Sequence, residues 1–248
     1  MTRTYKSFNT TASMFGVRWL SDYDYPKLLG SGCFHHPDYP GKCIPTQVVV
    51  GLPDGSQYTY VGTGNFNFNG FKYLTNNSSA MGTLYYDPDY GYSLVTLDRT
   101  FSYTTAGYIQ SVSSAGGTTL LQFTYATDPK RPSRVSNAAG QHIDFTYTNT
   151  VVTQAVDSAG NHWTYQYNGN LLVSVTSPGS SPDVRTYFYE SPGIDYTLLT
   201  GIAINGVRYS TYSYYTSKRV LQSALSGGEQ VDQFAYGTNA TTVTNALG

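Results

Sequence analysis

Residues 155–167, AVDSAGNHWTYQY, carry a pattern that indicates the fold class of the chain. It consists of an apolar strand, a turn that holds Asp157 and Gly160, and a second strand in which Trp163, Tyr165 and Tyr167 occupy alternate positions. Side chains two residues apart lie on the same face of a strand, so this alternation predicts a hairpin with one buried and one solvated face. A single hairpin cannot bury such a face by itself, and units of this kind therefore occur in arrays.

The same pattern recurs through the second half of the chain, where each copy closes on an aromatic residue, any residue and a tyrosine. The closing tyrosines are Tyr125, Tyr147, Tyr167, Tyr189, Tyr214 and Tyr236, and their separations are 22, 20, 22, 25 and 22 residues. Each period has room for two strands of about six residues and two turns. The turns of these units contain the glycines Gly140, Gly160, Gly179, Gly206 and Gly228. We expect these tyrosines, the aromatic residues beside them and the turn glycines to be architectural, with the aromatic rings in the core.

The composition agrees with an all-β chain of many short strands. Tyrosine and glycine each occur 25 times, whereas glutamate occurs only at Glu190 and Glu229. Aromatic and β-branched residues favour a pleated surface. Charged residues make up 12% of the chain and the net charge is −1, so nucleic acid is not expected as a partner. The sequence has no apolar run of the roughly 20 residues that a membrane-spanning helix needs.

The regularity of the pattern also predicts the domain organisation. Residues 1–100 are predicted to form a less regular N-terminal pre-repeat β region, in which Pro53-Asp54-Gly55 marks a hairpin turn. Residues 101–248 are predicted to form the repeat array, with about six repeats and a truncated seventh. We expect repeated β-hairpins that build a curved, spiralling β-sheet.

The residues that could carry chemistry predict no catalytic site, no cofactor and no metal centre. Most aspartates lie in turns, where the carboxylate normally accepts hydrogen bonds from its own backbone, so no acid pair for glycoside hydrolysis is predicted. His142 and His162 each follow a turn glycine by two residues, and duplication at equivalent positions indicates a structural role.

The two cysteines, Cys33 and Cys43, lie in a loop rich in glycine and proline, with His35 and His36 between them. A disulfide and two free thiols are both open interpretations of this loop, whereas a metal site is disfavoured. The spacing matches no standard zinc pattern.

These features together resemble the YD repeats of Rhs proteins, which are polymorphic toxins. The segment Lys218-Arg219-Val220 is similar to the start of a typical unit, and Asp157-Ser158-Ala159-Gly160 is similar to its turn. The segments Arg3–Ser7 and Phe15–Trp19 resemble the region that precedes the repeats in that family. The aspartate that follows the tyrosine in the family is replaced here, for example by Thr148 after Tyr147.

The resemblance implies a part of a hollow β-shell that encloses a C-terminal effector until delivery. It implies that this chain is an N-terminal fragment, or a truncated product, without the effector. The implied partners are the C-terminal toxin domain and carrier proteins of a secretion system, and the implied location is extracellular or at the cell surface. The first residues show no secretion signal. Open sheet edges would also favour self-association.

A second interpretation comes from the tyrosines themselves. An extracellular adhesin or carbohydrate-binding module would use exposed tyrosines to stack on sugar rings. The direction in which the tyrosines point separates the two interpretations, because regular spacing favours burial whereas a sugar-binding protein groups a few rings on one exposed patch.

Overall fold

The computed structural model describes residues 2–10, 12–67, 69–76, 81–128 and 130–247. The assigned elements within these ranges are twenty-four β-strands, and most belong to one long antiparallel sheet that is not closed. The predicted all-β class is therefore confirmed. No helix within the described ranges is long and apolar enough to cross a bilayer.

The strands divide between two compact units, Asp22–Phe145 and Thr2–Ser21 with Thr146–Gly248. The N-terminal segment carries β1 (Arg3–Tyr5), β2 (Ala12–Ser13), β3 (Gly16–Val17) and β4 (Trp19–Ser21). Then follow β5 (Leu29–Ser31), β6 (Gln47–Gly51), β7 (Gln57–Asn67), β8 (Gly70–Leu74), β9 (Thr83–Asp87), β10 (Gly91–Val95), β11 (Arg99–Tyr103), β12 (Ile109–Ser114), β13 (Thr119–Tyr125), β14 (Pro132–Ser136) and β15 (His142–Thr148). The remaining strands are β16 (Val151–Asp157), β17 (His162–Asn168), β18 (Leu171–Thr176), β19 (Val184–Phe188), β20 (Gly201–Ile204), β21 (Val207–Tyr214), β22 (Val220–Leu225), β23 (Asp232–Tyr236) and β24 (Thr241–Thr244).

The boundary predicted near residue 100 separates a less regular region of the sequence from the repeats, whereas the two units of the structure are separated by how compactly their residues pack. The division into units falls between Phe145 and Thr146. It does not test the change in sequence character, so the boundary stays a prediction.

Consecutive strands pair side by side in both units. In the first unit the strands from β5 to β15 pair in chain order, and in the second unit the strands from β16 to β24 do the same. In β17 burial alternates, so that Tyr165 is buried while Thr164 and Gln166 are exposed. Tyr165 pairs with Val175 of β18, which is also buried. The period-two pattern thus places apolar side chains from neighbouring strands on one covered face.

The turn between β16 and β17 shows why its sequence closes a hairpin. The Asp157 carboxylate accepts hydrogen bonds from the amides of Ala159 and Asn161, both at 2.9 Å, and the Gly160 amide donates to the Asp157 carbonyl. Asn137 makes the equivalent bonds in the turn between β14 and β15. A side chain that accepts from nearby amides in this way stabilises a tight turn.

The five glycines predicted to lie in turns all adopt a positive φ, between 79° and 120°. Gly206 illustrates the requirement. It follows Asn205, which also has a positive φ, in a two-residue connection between the paired residues Ile204 and Val207. Two successive left-handed residues are what the tight hairpin turn needs, and Asn-Gly is the pair that adopts them most readily.

Candidate functional site

Most of the closing tyrosines make the same kind of hydrogen bond to a neighbouring strand. In four of the six, the hydroxyl donates to a backbone carbonyl 15 to 17 residues earlier, near the start of the adjacent strand. These bonds are Tyr125 to Ile109 at 2.6 Å, Tyr167 to Val152 at 2.8 Å, Tyr189 to Leu172 at 2.9 Å and Tyr214 to Leu199 at 2.6 Å. We call this bond the tyrosine latch, because it joins the end of one strand to the beginning of its partner.

The latch explains the degree of burial of the closing tyrosines, which differs from the expected core placement. Tyr214 is buried, but the other five rings are half-buried. Each latch tyrosine lies at or near the end of its strand, where the hydroxyl reaches a carbonyl and the ring covers the margin of the core. The deeper position belongs to the aromatic residue two places earlier, as in Phe123, Phe145, Tyr165 and Tyr187.

Burial keeps the latch hydroxyls protonated. Desolvation raises the pKa of the phenols of Tyr125, Tyr167, Tyr189 and Tyr214 far above the usual value of a tyrosine. Each phenol is therefore a neutral hydrogen-bond donor at any physiological pH, and none of them is poised to act as a base.

One residue of the same type was missed in the sequence. Tyr103 closes the segment Phe101-Ser102-Tyr103 and precedes Tyr125 by 22 residues, the same interval as between later copies. Its ring is fully buried, and its hydroxyl has no hydrogen-bond partner within the described part of the chain. The signal that identifies it is the interval of 22 residues to Tyr125 together with the aromatic residue two places earlier.

In the second unit, the aromatic face is covered by the N-terminal segment, residues 2–21. The Phe15 ring is fully buried and lies 5.1 Å from the ring of Tyr165, and the Trp19 ring lies 4.8 Å from that of Tyr187. The Trp19 indole N–H donates to the Tyr189 hydroxyl at 3.1 Å, so this segment also contacts a latch. The resemblance had marked 15–19 only as part of a region preceding the repeats.

A buried ion pair holds the same segment to the loop between β19 and β20. The Arg18 side chain is 2% exposed, and its guanidinium donates to Asp195 Oδ2 at 2.9 Å and to Thr197 Oγ1 at 2.7 Å. Lys218 donates to the same Asp195 oxygen at 2.9 Å. Burial alone would raise the pKa of Asp195, but hydrogen bonds from Thr197 and Lys218 and the charge of Arg18 outweigh it and lower that pKa well below its usual range. The carboxylate is therefore charged and fully engaged.

Tyr5 extends this attachment through two backbone hydrogen bonds. Its hydroxyl donates to the Thr197 carbonyl at 3.1 Å and accepts from the Leu199 amide at 2.9 Å. The carbonyl of Leu199 is also the acceptor of the Tyr214 latch. The N-terminal segment and the Tyr214 latch are thus joined through Leu199 in one hydrogen-bonded network, which indicates a structural role for both.

In the first unit, residues 22–28 perform the corresponding covering role. The Tyr25 ring lies 5.5 Å from Phe123 and 6.0 Å from Phe101, and the Tyr23 ring lies 6.5 Å from Phe145. Burial raises the pKa of Tyr25 to about 12. In this unit, the aromatic rings two residues before the closing tyrosines are therefore covered as well.

The cysteine loop forms a second group of side chains in the first unit. Cys33 and Cys43 are joined by a disulfide, and both residues are exposed. The loop places the rings of His36 and Tyr39 against Phe66 and Phe71, at centroid distances of 5.3 to 5.9 Å. Lys42 forms an ion pair with Asp89 at the margin of this group. Phe34 and Phe66 are 43% and 42% exposed, so part of this aromatic cluster faces solvent.

The remaining candidate residues are not brought together into a reactive site. Asp54 and Asp128 accept hydrogen bonds from amides two residues later, as the turn interpretation predicts. The His142 ring contacts the Gly140 carbonyl, whereas that of His162 contacts the Gln154 amide group. Among the described residues, no group of three or more His, Cys, Asp or Glu side chains could hold a metal ion.

Comparison with known proteins adds no assignment. No protein-family model matches the chain, and no curated protein matches it. The interpretation therefore depends on the residues and contacts described above.

Proposed function

We propose that the chain is a structural, non-enzymatic segment of a β-shell of the Rhs/YD-repeat type. Its role is to enclose and help deliver a C-terminal effector that this sequence does not contain. The tyrosine latch is the observation that carries the proposal, because it recurs at an offset of 15 to 17 residues in four closing tyrosines. A latch that recurs from unit to unit lets an array of hairpins grow by addition of similar units.

The covered aromatic faces also support a containing role. The segment 2–21 in the second unit and residues 22–28 in the first occupy positions against the aromatic strands. In this proposal, the partners are the toxin domain of the longer parent and the carriers of a secretion system. The protein acts outside the cell or at its surface, without a cofactor.

The DNA downstream of the codon for Gly248 tests the proposal. We expect it to encode further units and then a variable C-terminal region. The extended protein is then treated with a protease, with the free C-terminal region as the matched control. Protection of that region in the extended protein, and its rapid digestion when free, is the expected result. Equal digestion rates in the two proteins, or a stop codon directly after Gly248, would refute enclosure.

Self-association through sheet edges is part of the same proposal. Strand β24 pairs with β23, and its four residues are all exposed. Unpaired backbone groups on such a strand attract other strands. Light scattering over a range of concentrations is expected to show an increasing mean mass, and a constant monomer mass at high concentration would contradict this part.

The second candidate function is carbohydrate binding by an extracellular adhesin. The partly exposed cluster around Phe34 and Phe66 favours it, since exposed rings grouped on one patch are the feature that sugar stacking needs. A glycan array with the protein and its Phe66→Ala variant tests this function, with Tyr90→Ala as the control because Tyr90 is 85% exposed and lies outside the cluster. Glycan binding that is lost only in the Phe66 variant would favour the adhesin, and absence of binding in all three proteins would exclude it for the glycans on the array.

A further inference from the structure

A groove in the second unit lies between the N-terminal segment and the strands β19 to β23. Its volume is about 530 Å³, which lies within the usual range of ligand sites. Tyr187, Tyr212 and Phe234 line it together with the Ser223 side chain. The groove therefore combines aromatic faces with polar groups.

Two arginines give this groove an unbalanced positive charge. Arg3 and Arg185 both line it, and the described lining contains no aspartate or glutamate. Within the described residues, neither guanidinium takes part in an ion pair with a carboxylate. The Arg3 guanidinium lies 5.0 Å from the centre of the Tyr165 ring, and its Nη1 atom is buried without a hydrogen-bond partner. Arg3 is half-buried and Arg185 is exposed, and both charges border the groove without a carboxylate partner among the described residues, so the site favours an anionic occupant.

The length of the groove favours a polypeptide as that occupant. Its lining crosses five strands that are paired side by side. At a spacing of about 4.8 Å between strands, four intervals give a length of about 19 Å. An extended chain of about six residues has this length. Arginine binds carboxylates with paired hydrogen bonds, so the two arginines favour a chain that carries aspartate or glutamate side chains.

We propose that this groove binds an extended, acidic segment of polypeptide, about six residues long, through Arg3 and Arg185. The inference deepens the proposed function, on which it rests, because an enclosed effector is the polypeptide that the shell would hold. It places the binding of such a chain along strands β19 to β23 and assigns the positive charge to Arg3 and Arg185.

Fluorescence anisotropy of a labelled hexaglutamate tests the proposal on the full chain. Arg185→Gln removes one charge from the groove, and Arg219→Gln is the matched control because Arg219 does not line it. We expect hexaglutamate to bind, the Arg185 variant to bind about tenfold more weakly, and the control to bind as the unchanged protein does. Circular dichroism establishes that both variants fold, and Arg185 is an exposed strand residue whose removal leaves the core intact.

Four results would overturn the proposal. They are absence of hexaglutamate binding, equal affinity of the two variants for hexaglutamate, equal or tighter binding of hexalysine, and binding of an oligoglucuronate of the same charge in place of the peptide. The protease-protection experiment on the extended protein is independent of this assay. If the C-terminal region is protected from the protease but hexaglutamate does not bind, the peptide-binding role of the groove is refuted and the proposed function is not.

Discussion

Replacement of Tyr165 by alanine is the most direct test of the covered aromatic face. The Tyr165 ring is 4% exposed and lies against Phe15 and the Arg3 guanidinium. Truncation of a buried aromatic side chain removes its packing and leaves a cavity, so we expect a loss of about 3–5 kcal/mol in the free energy of unfolding. Tyr167→Phe keeps the half-buried ring and removes only the latch to Val152, and its expected cost is about 1 kcal/mol.

The assay uses the two tryptophans of the chain, Trp19 and Trp163, which both belong to the second unit. Their fluorescence during urea unfolding therefore reports on the unit that contains the mutations. Tyr209→Ala is the control, because that ring is 53% exposed on β21 and its loss should change stability by less than about 0.5 kcal/mol. A cost below about 1 kcal/mol for Tyr165→Ala would refute the covered face, since the ring would then be solvated in solution.

Three further predictions concern the ion pair, the disulfide and a turn. Asp195→Asn leaves the Arg18 charge buried without a counter-ion, so thermal unfolding should show a loss of about 3 kcal/mol. Because the folded-state pKa of Asp195 lies below its unfolded value, its contribution to the free energy of unfolding is present above about pH 4 and is lost as the pH falls below that value. The stability of the Asp195→Asn variant should therefore decline less steeply in acid than that of the unchanged protein. An equally steep decline in the two proteins would contradict the ion pair. Loss of the disulfide in a double Cys33→Ser, Cys43→Ser variant should cost about 2–4 kcal/mol, and a stability unaffected by dithiothreitol in the unchanged protein would count against it. Gly206→Ala should cost about 1 kcal/mol, because the added Cβ meets open space but the positive φ is strained; an unchanged melting temperature would show that the turn adopts another conformation.

The local features of the fold were predictable from the sequence because they depend on residues close in the chain. The alternation over residues 163–167 and the turn at Asp157 each involve fewer than ten residues, and both are found as predicted. The left-handed turn glycines follow from the same local chemistry. Strand pairing between neighbours was predictable for the same reason, since short turns bring consecutive strands together.

The long-range features of the candidate site were not predictable. Phe15 and Tyr165 are 150 residues apart in the sequence, and no local pattern indicates that the first residues cover this face. Nothing in the local sequence singles out Arg18, because only the folded chain brings it to Asp195. The half-burial of the latch tyrosines was also missed, since the period of two identifies a face of the strand but not how far each ring lies from the end of the strand.

The attachment of the N-terminal segment has a consequence for the timing of folding. Residues near the start of this sequence contact residues that are made much later, with separations of 177 residues for Arg18 and Asp195 and 194 for the bond between Tyr5 and Leu199. At a synthesis rate of 5–20 residues per second, Arg18 waits about 10–35 s for its partner. Until Tyr165 and Tyr187 have been made, Phe15 and Trp19 have no aromatic surface to cover, and the nascent chain exposes them to whatever chaperones or other chains are nearby. Any pause in translation before codon 187 lengthens this exposure.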